Sequence, residues 1–500
     1  MVALVLLASL VAACGSTAQT SGESSTAAAG GTNNAGLSPA TTAGNGVGGA
    51  ATGGSGVAAG GSSGATGSSG GGARSTGGAS GSSGSGVGAS GASAGPVGPG
   101  VTDKTIALGI PYCNDCAAAN AALGAGGENP GDTRRYAQAA IDDLNKRGGV
   151  AGRKVVPVFH EISASDDISR SQQEVCDDFT ADHKVLMIFF RGEIIYECAK
   201  KAGILTGGGD ATGPVFEKYP NLFAPASIRL ERLFQNTVRS MVKLGWNKPS
   251  AKWPTGKIGL LTWDTPEYRY AMDHGYLAGL KEAGLKAAEV RYIAVPANAD
   301  SIAESSAAIS NAVLAFRSEG IDHVFIGDGQ AGIFAGAGLT FLFLSNAKSQ
   351  SYFPRYGFNS NNAPDFDSHP KDELVGMIAI DSFDTDPKND EGIAPNAPRE
   401  RCFEIMRKAG LPVGQGQTQA IAIGSCEGIW FAEAVISRAA DTTLPNMIAA
   451  GESLGTSYRS PYNFGNRIGP GQHDGVALFR SLEWGQDCSC IVYTSKPFEP

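Results

Sequence analysis

Residues 101–110 read VTDKTIALGI and residues 136–155 read YAQAAIDDLNKRGGVAGRKV. In the first stretch a short apolar run over 105–110 is ended by Pro111, which marks a buried strand. In the second, Ala137, Ala140, Ile141 and Leu144 fall on one face of a helix, and Gly148-Gly149 stops it. Another strand begins at Lys154 and runs to Phe159. Strand, helix, strand in that order predicts a parallel βαβ unit, because parallel neighbours need a crossover between them.

The same alternation runs outward. Helices over 169–179 and 194–202 separate strands over 185–190 and 203–206. An extended piece at 222–225 leads into a helix carrying Leu230, Leu233, Phe234, Val238 and Met241, closed by Gly245. A second series follows: strands over 258–262, 290–295, 323–327 and 352–358, with helices over 268–283, 302–318 and 333–344 between them. Two such series predict an α/β chain of two Rossmann-like doubly wound lobes, with ligands taken outside the carboxyl ends of the strands. A strand over 375–380, a helix over 418–439 and strand character over 476–493, with a turn at Gly485-Gln486, exceed what one lobe's sheet needs. They are expected to return to the first lobe. The expected division is therefore 101–225 plus 360–500 for one lobe and 226–359 for the other, with a multi-segment hinge near 222–226 and 353–359.

At the two quoted phrases the chain resembles the type I periplasmic binding proteins, specifically the Leu/Ile/Val-binding-like group of ABC-transporter receptors. In that group an opening strand is followed by a helix ending in a pattern matched here by Ile141, Asp142, Asn145, Gly148, Gly149 and Gly152. The resemblance extends in weaker form over about residues 101–495. It implies a receptor that captures a small polar solute, an amino acid or a related amide or carboxylate, by lobe closure and delivers it to an ABC permease. It implies no catalysis, no cofactor and no metal, and a monomer.

The resemblance also implies a disulfide between Cys176 and Cys198, on either side of one strand. Of nine cysteines, eight remain after Cys14 is set aside, an even number that reads as up to four bridges in an oxidising compartment. Cys402 with Cys426 is the second expected pair. Cys113-x-x-Cys116 and Cys488-x-Cys490 are left open: each pair closes locally, the two bridge each other, or the four thiols hold zinc.

The family's ligand sites lie in loops after first-lobe strands and at helix starts of the second lobe, where backbone N–H groups favour anions. In this chain those loops carry Tyr112 and Asn114, then Arg191 and Glu193, then Gly208, Gly209 and Asp210. The second lobe supplies Trp263, Asp264, Tyr268, Asp328 and Gln330, with Asn359 at the last crossover. Arg191 stands where amino-acid-binding relatives carry a small hydroxyl residue, and a guanidinium there suits a carboxylate. Asp210, Asp264 and Asp328 suit an amine. The bland alternatives are a surface ion pair between Arg191 and Glu193, helix caps at Asp264 and Asp328, and lobe packing by Trp263.

The N-terminus supplies an address. Residues 1–13, MVALVLLASLVAA, are an apolar run too short to span a bilayer but suited to a signal peptide, and Leu10-Val11-Ala12-Ala13-Cys14 resembles the bacterial lipobox. No Lys or Arg precedes the run, which points to a start further upstream. Residues 14–100 are nearly all Gly, Ser, Ala and Thr, with Glu23 and Arg74 as their only charges, so a lipid anchor at Cys14 followed by a disordered tether is expected. Such a coil has a root-mean-square span of about 50 Å. A net charge of −9 gives no basic excess for nucleic acid.

No G-K-[ST] phosphate loop or H-E-x-x-H zinc helix occurs, and the six histidines are scattered singly. Two other readings stand beside the receptor: a ligand-sensing lipoprotein without a transporter, and a thiol-disulfide oxidoreductase using Cys113 and Cys116.

Overall fold

The computed structural model describes residues 97–116, 131–163, 166–296, 301–329, 337–363, 369–383, 395–414 and 417–500. Cys14, the apolar run before it, the tether up to residue 96, and Gln330 lie outside the described residues. The last residues assigned to the tether are already packed. The Gly98 N–H donates to Thr442 Oγ1 at 2.8 Å, and Val101 bridges to Ile106.

The opening unit forms as its sequence dictates: β1 (Thr105–Tyr112), α1 (Arg134–Lys146) and β2 (Lys154–Glu161). Ala137, Ala140, Ile141 and Leu144 are all buried along one face of α1. The motif residues have structural work. The Asn145 amide donates to the Val155 carbonyl at 2.8 Å and its oxygen accepts from the Val155 N–H at 2.9 Å, tying the end of the helix to the start of the strand. Gly149 has φ +77°, and a Cβ there would lie 1.9 Å from the Arg153 carbonyl oxygen, so a side chain cannot enter that turn.

The first sheet adds α2 (Ile168–Asp177), β3 (Met187–Phe189), α3 (Glu193–Ala202), β4 (Leu205–Gly207), α4 (Gly213–Lys218) and β5 (Leu222–Phe223). Its order is β2-β1-β3-β4-β5 and every pairing is parallel. Both faces are covered, as a parallel sheet requires. Met187 and Ile188, consecutive in β3, fall in two different core clusters, one on each face.

The second sheet is built from α5 (Leu230–Lys243), β6 (Ile258–Trp263), α6 (Pro266–Ala271), α7 (Ala278–Glu282), β7 (Ala287–Ile293), α8 (Ile302–Ser318), β8 (His323–Gly327), α9 (Gly338–Ser349) and β9 (Arg355–Asn359). A π-helical turn, Met272–Leu277, joins α6 to α7. There α5 comes so close that a Cβ on Gly275 would lie 2.6 Å from Phe234 Cβ. The rest of the chain is β10 (Ile378–Asp381), α10 (Ala397–Lys408), α11 (Gln417–Ile436), α12 (Leu444–Glu452), β11 (Arg480–Gly485) and β12 (Cys490–Tyr493).

Here the structure corrects the expected division. The second sheet has seven strands in the order β12-β11-β10-β9-β8-β6-β7, so β10, β11 and β12 extend the second lobe instead of returning to the first. Ile378 pairs in parallel with Gly357 of β9, and β11 and β12 add antiparallel at the edge. Among the described residues of the 360–500 stretch, α10, α11, α12 and the segment through Ile468 return, burying Cys402, Ile421, Ile429, Met447, Tyr458 and Tyr462 in the core cluster that α1 shares. Part of α11, Thr418–Ile436, is long and apolar enough to cross a membrane by composition, but most of it is buried in that core.

The expected hinge at 353–359 is likewise corrected, because those residues lead into and form β9 within the sheet. The chain passes between sheets after β5, after β10, and between α12 and β11. One buried side chain ties these passages together: the Asn463 amide donates to the Ala226 and Ser382 carbonyls, each at 3.3 Å. Asn466 donates to the Pro225 carbonyl at 2.7 Å. Asp474, fully buried, accepts from the Arg229 N–H at 3.2 Å and pairs with the Arg232 guanidinium.

Four disulfides form: Cys113–Cys116, Cys176–Cys198, Cys402–Cys426 and Cys488–Cys490. The two expected pairs are present, and the open question is resolved in favour of local closure, which leaves no tetrathiolate. Cys176–Cys198 joins α2 to α3 and Cys402–Cys426 joins α10 to α11.

Candidate functional site

The loops after β3 and β4 bring Arg191 and Asp210 to the carboxyl end of the first sheet. The second sheet brings Tyr268 from α6, Gly329 from the end of β8 and Asn361 from the short helical turn after β9. Across the gap the Asn361 amide donates to Asp210 Oδ2 at 3.1 Å and to the Asp328 carbonyl at 3.2 Å. Gly329 lies at the centre. A Cβ on it would lie 2.5 Å from Tyr268 Oη, 2.6 Å from Asp210 Oδ2 and 2.7 Å from Asn361 Nδ2, so only glycine lets these three groups close in.

Arg191 is half-buried beside this group. Burial lowers the proton affinity of its guanidinium, and Tyr196, Asp210 and Tyr268 nearby oppose that effect. Burial pushes the Tyr196 hydroxyl up to about 12 and holds the Tyr268 hydroxyl well above its ordinary range, Asp210 and Asp328 adding to the latter. Both phenols are therefore neutral at physiological pH. The site offers one guanidinium, one carboxylate, two phenols and one amide, all at the strand ends of two sheets. That set suits a small solute with a carboxylate, an amine or both.

Asp328 supports the site from behind. It is fully buried, and four donors meet it: Trp263 Nε1 at 3.2 Å and the Gly329 N–H at 2.8 Å on one oxygen, the Thr340 N–H at 2.6 Å and hydroxyl at 2.7 Å on the other. Burial raises its pKa to about 6, and those donors oppose the rise.

Other expected site residues lie elsewhere. Tyr112 and Asn114 both donate to Glu161, at 2.8 and 3.0 Å. Glu193 is exposed and pairs with Lys218 at 3.5 Å, not with Arg191. Gly208 and Gly209 are buried in the loop before Asp210. Trp263 is fully buried in the second lobe, facing Asp328, and so is a packing residue. Asp264 pairs on the surface with Arg269, while the helix cap is supplied by Thr265. Asn359 is a correction: it is fully buried, donating to Thr237 Oγ1 at 3.2 Å and Tyr276 Oη at 3.1 Å, because β9 continues inside the sheet. Tyr196 and Asn361 were not singled out from sequence. The run Asn359-Ser360-Asn361-Asn362 at a strand end was the available signal.

No family model matches the chain, and no curated protein matches it. Solved structures do. A fatty acid ABC transporter substrate-binding protein from Thermomonospora curvata is 16% identical with a TM-score of 0.55, over 81% of this chain and 95% of that one. A branched chain amino acid ABC transporter protein from Thermus thermophilus with bound valine is 15% identical with a TM-score of 0.56, over 80% and 98%. A solute binding protein from Rhodopseudomonas palustris HaA2 in complex with p-hydroxybenzoic acid is 13% identical with a TM-score of 0.56, over 79% and 97%. The chain has the type I periplasmic binding fold. In that fold the two lobes face one another across a ligand cleft, and the Asp210–Asn361 contact lies between them here.

Proposed function

We propose that the chain is an extracytoplasmic receptor that captures a small polar solute between its lobes and delivers it to an ABC permease. One observation carries this reading: charged and hydrogen-bonding groups from both sheets, Arg191 and Asp210 on one side and Tyr268 and Asn361 on the other, converge at the strand ends. Of the structural neighbours, one holds bound valine, one is in complex with p-hydroxybenzoic acid and one is named for fatty acids. Cys14 carries the lipid anchor, the Gly/Ser/Ala tether spaces the body from the membrane, and the protein acts as a monomer.

Four disulfides support an oxidising compartment. Against redox catalysis, Cys113 and Cys116 are only 5% and 2% exposed, whereas reactive cysteines need access.

A thermal-shift screen across small carboxylates, amines, amides and amino acids tests the reading. A solute at one hundred times its dissociation constant stabilises the native state by about 2.7 kcal/mol, and Arg191→Ala removes that gain. If no solute raises the melting point of the unaltered protein, the reading fails.

A further inference from the structure

Between the ends of β1, β3 and β4 on one side and α11 on the other lies a cavity of about 60 Å3. Ile110, Phe189, Ile421, Ile429 and Phe431 make its walls apolar, and Ala137 of α1 contributes a small side chain. Phe189, Gly207, Gly424 and Gly428 keep part of their surface accessible in a wall that is otherwise buried, so solvent reaches it. Its one carboxyl, Glu427, is engaged by Tyr458 Oη at 2.9 Å and Ser460 Oγ at 2.6 Å and needs no partner from the cavity.

The cavity adjoins the polar site. Phe189 precedes Arg191 by two residues and Gly208 precedes Asp210 by two. A Cβ on Gly208 would lie 2.9 Å from Tyr196 Oη, so the cavity wall and the polar cluster share a boundary. Pro225 and Ala226 of the first passage between lobes line it as well, which puts it at the base of the cleft.

We propose that this cavity receives the alkyl end of the solute whose charged end lies at Arg191, and that the solute is a short-chain alkyl carboxylate. The inference rests on the receptor reading above and adds its substrate class. Protein interiors seldom leave voids larger than a water molecule, so an accessible apolar space beside a binding site has a use. Size sets the class. A cavity of about 150 Å3 is what takes benzene, and this one has less than half that volume, room for a few carbons and not a ring.

The test is calorimetric titration of the full chain with acetate, propionate, butyrate, isobutyrate, isovalerate, hexanoate and benzoate, and with the α-amino counterparts of the aliphatic acids. In whichever series binds, affinity rises about fourfold per added methylene up to four or so carbons and then stops rising. Ala137→Leu fills the space and flattens that gradient. Ile421→Ala enlarges it and moves the optimum to a longer chain, a gain that a misfolded variant would not show. If ligands bind in an Arg191-dependent way but the gradient is missing, or is untouched by both variants, the cavity is a packing defect only and the receptor reading stands without it. If neither series binds, the substrate class is wrong, and the wider solute screen then decides the receptor reading separately.

Discussion

At the scale of single residues, the site depends on groups whose ionisation is set by burial. Asp328 accepts four hydrogen bonds, from Trp263, Gly329 and Thr340. Asp328→Asn would aim an amide donor at donors, and an unsatisfied buried pair of this kind costs about 2–4 kcal/mol. Urea titration of the variant should show that loss, and an unchanged midpoint would contradict the assignment. Glu427 titrates in the other important range. Burial raises it from 4.5 to about 7, above the effect of its two hydroxyl donors, which lower it. The folded chain therefore holds a proton that the unfolded chain releases between those values, so stability present at pH 4.5 falls as pH rises toward 7 and is lost above it. The fall amounts to roughly 3 kcal/mol at most. Glu373, also raised to about 7 by burial, acts in the same direction, so Glu427→Gln should make the decline shallower without removing it. Equal slopes in both proteins, measured by urea unfolding from pH 4.5 to 8, would rule Glu427 out as a source.

At the scale of elements, local sequence explains what local forces decide. The first βαβ unit was legible because Asn145 and Gly149 perform tasks few other residues can: a two-way clasp onto Val155 and a turn without room for a Cβ. That Arg191, Asp210 and Tyr268 would gather at the strand ends was legible, because the loops that follow parallel strands converge there in open α/β sheets. The placement of β10, β11 and β12 was not, since their sheet is chosen by pairings that no local pattern shows: Ile378 of β10 lies against Gly357 of β9, and Glu483 of β11 lies against Ile378 across the three helices that return to the first lobe. Trp263 and Asn359 misled for a related reason: each follows or ends a strand, but each side chain turns into the core, where Asp328 and Thr237 meet it. Nothing in the local sequence sets Asn361 apart, since its partner Asp210 belongs to the other sheet's loops. Disulfides reinforce these elements. Cys176–Cys198 closes a separation of 22 residues. Replacing both cysteines with serine should cost about 3 kcal/mol, read as a lower urea midpoint, and no change would show that the bridge adds nothing to stability.

At the scale of the whole molecule, two sheets are joined by three passages that Asn463, Asn466 and Asp474 hold together through buried bonds. Arg191 and Asp210 follow strands of the first sheet, and Tyr268 and Asn361 follow strands of the second. A ligand that contacts both sides stabilises the form in which they meet, in proportion to its preference for that form. The most direct measurement is the distance between spin labels on the two lobes, placed at exposed Lys201 of α3 and Leu314 of α8 through Lys201→Cys and Leu314→Cys. With a solute found by the thermal screen, the distance distribution should shorten and narrow relative to the solute-free protein. An identical distribution at saturating solute would contradict capture by lobe closure.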